Sequence, residues 1–150
     1  MIRTLRSVFA LVAVIGMLAG CSSTGSGGDS GQISATVKEW QINLSSSTAK
    51  AGPITFTIKN DGDKEHEFVI RKTDLKADSL PLNADNEVSE DATELSEVGD
   101  PSELAEIAAG SSNNTLTVTL QPGHYVIFCN LHVEDLLHYE KGMHTDFTVN

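Results

Sequence analysis

Two stretches of this chain alternate apolar and polar residues with a period of two, and that period does most to narrow the folds open to it. In residues 53–60, Ile54, Phe56 and Ile58 share one face, and Thr55, Thr57 and Lys59 share the other. In residues 115–120, Leu116, Val118 and Leu120 do the same. A strand with one buried face has this signature; an amphipathic helix does not. Residues 33–44, rich in β-branched and apolar side chains, read as one bent strand or two short ones, and 66–71, 124–129 and 144–149 read as further strands. Asn60-Asp61-Gly62-Asp63 and Gln121-Pro122-Gly123 are turn sequences between them. No segment repeats another. Seven to eight short strands in one unit predict an all-β sandwich or barrel.

One region interrupts this texture. Residues 74–106 hold eleven acidic residues and a single basic one, Lys76, and Pro81 and Pro101 break regular structure there. The segment reads as a long solvated acidic loop, with a short helical turn over 102–108; the alternative is a surface for a basic partner. The chain as a whole carries a formal charge of −11 over 150 residues. That excludes a partner bound through its phosphate backbone, which needs basic patches. A mean hydropathy of −0.12 excludes a polytopic membrane protein, and the length suits one core rather than two.

The N-terminus reads as an address. Arg3 and Arg6 precede thirteen uncharged residues, 7–19, a length that suits a secretory signal and is short for a membrane span. The run ends in Leu18-Ala19-Gly20-Cys21, which resembles the lipobox of bacterial lipoproteins. The resemblance implies removal of residues 1–20 and lipidation of Cys21; an ordinary secretion signal with a chance cysteine is the alternative. Residues 22–31, SSTGSGGDSG, contain nothing that can join a core, so 21–32 is expected to be a flexible tether and 33–150 the folded domain. The expected location is the cell envelope, exported and held to the membrane by lipid alone, facing the periplasm or the exterior. Loss of Arg3 and Arg6 would take the formal charge from −11 to −13.

With Cys21 lipidated, Cys129 is the domain's sole cysteine. An exported lone thiol is buried and inert, intermolecular, or a ligand. Its surroundings favour the last. From Cys129 to His144 the chain holds one thiol, three imidazoles (His132, His138, His144) and the thioether of Met143. A second candidate position is Glu65-His66-Glu67-Phe68 at the start of a strand. Thiolate and thioether favour Cu(I) and imidazole suits both oxidation states, so this donor set selects copper; two histidines, a cysteine and a weak axial methionine make a trigonal blue-copper site.

A late strand ending in Cys129, a loop, then His138-Tyr139-Glu140-Lys141-Gly142-Met143 and a last strand resembles the cupredoxins, particularly the small plastocyanin-like ones of bacteria. His66-Glu67-Phe68-Val69-Ile70 resembles that family's first ligand strand. The resemblance covers residues 33–150. It implies a Greek-key β-sandwich with one copper, cycling between Cu(I) and Cu(II), at one end. It also implies His66, Cys129 and His138 as equatorial ligands and Met143 as the axial one. One departure is plain: eight residues, 130–137, separate Cys129 from His138, where the family has a shorter loop ending in Pro-Gly. The longer loop introduces His132 as an alternative to His138.

Each residue also has a structural reading. His66 can be a surface histidine at a strand end, Cys129 a small core hydrophobe, and Met143 packing. His124, after a turn, and His144, opposed to Met143 by strand alternation, read as solvent-facing; Trp40 reads as core. His138 is expected to be the more exposed ligand. Its edge, with Leu136, Leu137 and Met143, is then the expected docking patch. A backbone N–H from the loop or beside His66 is the expected donor to the sulfur. Nothing resembles a substrate pocket with a nucleophile or general base, so the chain is not read as an enzyme. The reading is a monomeric one-electron carrier with a redox partner protein. The alternatives are a copper delivery, storage or resistance protein with a copper donor or acceptor, and a metal-free interaction module.

Overall fold

A computed structural model describes residues 31–133 and 135–150. The leader, Cys21 and most of the expected tether lie outside these residues. Eleven strands follow one another: β1 (Gln32–Lys38), β2 (Gln41–Leu44), β3 (Thr48–Ala49), β4 (Gly52–Asn60), β5 (His66–Lys72), β6 (Glu103–Ile107), β7 (Asn114–Leu120), β8 (Gly123–Phe128), β9 (His132–Val133), β10 (Leu136–Leu137) and β11 (His144–Val149). They form a four-stranded sheet, β2-β1-β4-β7, a five-stranded sheet, β3-β11-β8-β5-β6, and the small hairpin β9-β10. Among the described residues there is no helix, and none is long and apolar enough to cross a membrane.

The alternation places the core. Ile54, Phe56 and Ile58 of β4 and Leu116, Val118 and Leu120 of β7 are all buried, and they face Phe68, Ile70, Tyr125, Ile127 and Phe147 of the other sheet. Phe56 sits at the centre, with ring centroids 5.4 Å from Phe68 and 5.5 Å from Phe147. Phe56→Ala should therefore destabilise the protein by ~3–5 kcal/mol, through lost transfer energy and an uncollapsed cavity. Chemical denaturation reads this directly, and a loss under ~1 kcal/mol would mean the site collapses or the packing is looser than described.

β5 and β8 are buried on both faces, and the acidic segment is the reason. Val69, Val126 and Phe128 point away from the central core and are covered by Ala77, Leu80, Val88, Leu95 and Tyr139 in a second apolar cluster. Residues 74–106 are thus an excursion laid along the outer face of the five-stranded sheet, with its acids largely outward, rather than a solvated loop. The helical turn expected over 102–108 is also corrected. Glu103–Ile107 is the edge strand β6, antiparallel to β5. Its Glu-Leu-Ala-Glu-Ile sequence favours a helix locally, but the open edge of β5 offers backbone partners and a buried slot for Ile107.

Both sheets converge on one pole. β1 runs towards Trp40, β5 begins there with His66, β8 ends there ahead of Cys129, and β11 starts there after Met143. The other pole carries Gly52, the turn before Gly123, and Asn150.

Candidate metal centre

The register of β5 shifts between His66 and Phe68 where it pairs with β6. The irregularity sits at Glu67 and releases its N–H from the ladder, as bulges beside functional sites commonly do. That N–H donates instead to Cys129 Sγ at 3.4 Å. Across the sheet the Cys129 N–H donates to the Met143 carbonyl at 3.0 Å, and the Met143 N–H donates to the His138 carbonyl at 3.1 Å. These backbone bonds fold the ligand loop back so that its two ends meet under His66.

Three donor atoms gather as a result. His66 Nδ1 and His138 Nδ1 are 3.3 Å apart, and Cys129 Sγ is 3.3 Å from His138 Nδ1. One ligand atom from each of the three residues lies within 4.8 Å of the others, and all three residues are at 0 % exposure. Two nitrogens ~2.0 Å from a shared ion stand this far apart when they subtend about 110° there, so the spacing fits a small metal ion. The outer nitrogens agree. His66 Nε2 and His138 Nε2 are buried with no hydrogen-bond partner among the described residues, although Glu39 Oε1 lies 3.6 Å from the first. Rings placed merely to satisfy the core would not spend their Nδ1 atoms on each other and leave both Nε2 atoms bare.

No protein-family model and no curated protein sequence matches the chain. Solved structures do. The sodium-dithionite-reduced auracyanin of the photosynthetic bacterium Roseiflexus castenholzii is 25% identical, with a TM-score of 0.56 over 82% of this chain and 99% of that one. Auracyanin B is 20% identical, with a TM-score of 0.54 over 79% and 88%. Rusticyanin from Thiobacillus ferrooxidans is 15% identical, with a TM-score of 0.54 over 83% and 79%. The fold is that of the cupredoxins. Cupredoxins hold one copper, and in this cupredoxin fold the cluster of His66, Cys129 and His138 can hold it.

Several expectations about the cupredoxin pole are altered. His138, expected to be exposed, is fully buried: the Trp40 ring stands edge-on at 5.0 Å, and the ring of His66 lies at 5.1 Å. Met143 is also at 0 % exposure and shares the central core with Cys129, so neither belongs to a surface patch. His132 lies on the exposed strand β9, 3.5 Å from Glu87, and is not one of the clustered residues. Trp40 is half-buried against His138 rather than deep in the core. His124 is half-buried, bonded to the Thr73 carbonyl at 2.8 Å and to Asp146 at 3.0 Å. His144 is half-buried too, its ring 5.0 Å from that of Tyr139.

Burial sets the protonation states. It holds His66 below the ordinary imidazole range against the opposing pull of Glu39. Burial, reinforced by His66, pushes His138 down to about 4. Both rings are therefore neutral at pH 7, with lone pairs free for a cation. Burial also pushes the Cys129 thiol up to about 12, so in the metal-free protein the proton stays on sulfur. A bound cation reverses that preference, because a coordinating thiol is deprotonated.

Residue patterns did not reveal the supports. The Glu67 carboxylate accepts the Asn130 N–H, and burial raises its acid to about 7. The only sequence signal was adjacency to His66 and Cys129. A folded value of about 7 against an ordinary 4.5 means the folded state keeps a proton that the unfolded chain releases. The contribution of Glu67 to stability is then complete below pH 4.5 and lost as the pH rises to about 7. Raising the pH from 4.5 to 8 should move the urea midpoint of the metal-free Glu67→Gln protein upward relative to the change in wild type, by the part due to this group. Equal changes would place the Glu67 acid in the normal range.

Proposed function

We propose that this protein is a one-electron carrier of the cell envelope, a type 1-like copper protein anchored by lipid on Cys21. His66, Cys129 and His138 would hold the copper, with Met143 as a fourth, weaker ligand. The observation that carries the reading is the close-packed set of three donor atoms, wholly buried at one pole of a cupredoxin fold. The anchor and the envelope location rest on Leu18-Ala19-Gly20-Cys21 and the apolar run before it.

Copper bound there supplies a Cu(II)/Cu(I) couple. The residues of the chain supply the rest. Buried, mutually packed rings keep water from the donors and leave them little room to rearrange. The Glu67 N–H stabilises negative charge on Cys129 Sγ. The half-buried Trp40 ring separates His138 from solvent, so a redox partner meets Trp40 before it meets a ligand. Burial of all three donors favours a resident ion over one handed to an acceptor, which weighs against the delivery reading.

Copper titration with absorption and EPR spectra tests the assignment. One Cu(II) per chain should give an intense thiolate charge-transfer band. Cys129→Ser should abolish it, His138→Ala should disrupt the site, and His132→Ala should leave it intact. Retention of the band in Cys129→Ser would refute the thiolate assignment. Slow electron self-exchange with easy loss of Cu(I) to a chelator would favour delivery instead.

A further inference from the structure

Eight residues separate Cys129 from His138, and every loop residue must be ordered for the two donors to stay in register. The residue after each donor meets this requirement from outside the loop. Asn130 follows Cys129. Its Oδ1 accepts the Val88 N–H at 2.7 Å, and its Nδ2 donates to the Val88 carbonyl and to Glu90 Oε1, both at 3.0 Å. The side-chain amide thus pairs with both backbone groups of one residue, as a neighbouring strand would. Tyr139 follows His138. Its hydroxyl donates to the Ala77 carbonyl at 2.8 Å and accepts the Leu80 N–H at 3.0 Å. All four anchor positions fall within residues 77–90 of the acidic excursion.

The anchors are firm. Val88 is 2 % and Leu80 6 % exposed in the second apolar cluster. Glu90 is tied by its other oxygen to Arg71, which is 3 % exposed and also donates to Ser102 Oγ at 3.1 Å. Arg71 belongs to β5, the strand that carries His66. All three donors are therefore referred to one packed layer.

We infer that residues 77–90 of the excursion are the template of the metal centre, with Asn130 and Tyr139 as positioning residues that hold Cys129 and His138 in place before an ion arrives. The long ligand loop then need not be rigid by itself. The inference rests on the proposed copper function only for its metal-bound readouts.

The test uses the full chain with Tyr139→Phe, Asn130→Leu, Asn130→Asp and the double variant Asn130→Leu/Tyr139→Phe. Leu95→Ala serves as control, loosening the same apolar layer without removing a hydrogen-bonding group of either clasp. In the metal-free protein, NMR relaxation of the His138 ring and the Cys129 side chain should show lost order in the clasp variants and not in Leu95→Ala. With copper, Cu(I) affinity by chelator competition should fall ~10-fold for each single clasp and ~100-fold for the pair. The Cu(II) absorption and EPR spectra should change in parallel. Asn130→Asp keeps the acceptor for the Val88 N–H and should fall between wild type and Asn130→Leu. If Asn130→Leu does not fold, Tyr139→Phe and Asn130→Asp carry the test.

Rigid ligands in the metal-free clasp variants would overturn the inference, as would affinity and spectra no more altered than in Leu95→Ala. A wild type that takes no copper, with clasp variants that still loosen, would sink the electron-carrier reading and uphold the template.

Discussion

Cu(I) affinity should rise ~10-fold for each pH unit from 6.5 to 9, and one proton should be released for each ion bound. The slope follows from the protonation states at the buried pole. His138 is held down at about 4 and His66 below the ordinary 6.5, so both rings are mainly neutral across this window. The Cys129 thiol stays protonated throughout because burial pushes it to about 12, against an ordinary 9.0. The ion must displace that one proton, and raising the pH makes the displacement easier. Over 2.5 pH units the gain compounds to ~300-fold. Chelator competition, with proton release followed in weakly buffered solution, measures both quantities. Release nearer two protons at pH 6.5 would mean an imidazole is charged in the metal-free fold. A slope flattening well below pH 9 would mean the thiol is more acidic, and less buried, than described.

The second large effect is optical. The chain has one tryptophan, and its ring centroid lies 5.0 Å from that of His138. Cu(II) held by His138 should therefore extinguish most of the intrinsic indole emission at one equivalent, and a filled-shell ion such as Zn(II) in the same place should not. Reduction to Cu(I) should restore much of the signal. Stoichiometric copper binding with undiminished emission would place the ion away from His138 and refute the ligand set. Trp40→Phe removes the reporter without removing a donor, so copper stoichiometry should survive it.

The legible parts of this molecule were those governed by local periodicity. Residues 53–60 and 115–120 alternate because each strand has one face in the central core, and β4 and β7 occupy these positions within a residue or two. Cys129 and His138 were legible because soft donors cluster in a short stretch. What escaped depends on distant partners. Glu103–Ile107 is a strand only because β5 offers an open edge. The covering role of the excursion is hidden in the sequence because Ala77, Leu80, Val88 and Leu95 follow no period; the irregular surface of Val69, Val126 and Phe128 selects them one by one. The burial of His138 depends on Trp40, nearly a hundred positions earlier, folding over it. Asn130 reaches Val88 across the whole excursion, a pairing no spacing rule anticipates.

The direction of β1 has a consequence for how such a molecule meets its neighbours. Gln32 enters at the pole away from the donors, and six residues later Lys38 arrives at the donor pole. At ~3.3 Å per residue that strand alone sets the entry point about 20 Å from the metal pole. On the proposed anchoring, the attachment would lie ahead of Gln32 and so on the side of the pole opposite the donors. Trp40 and the ligand pole would then be the end of the folded domain farther from the point of attachment.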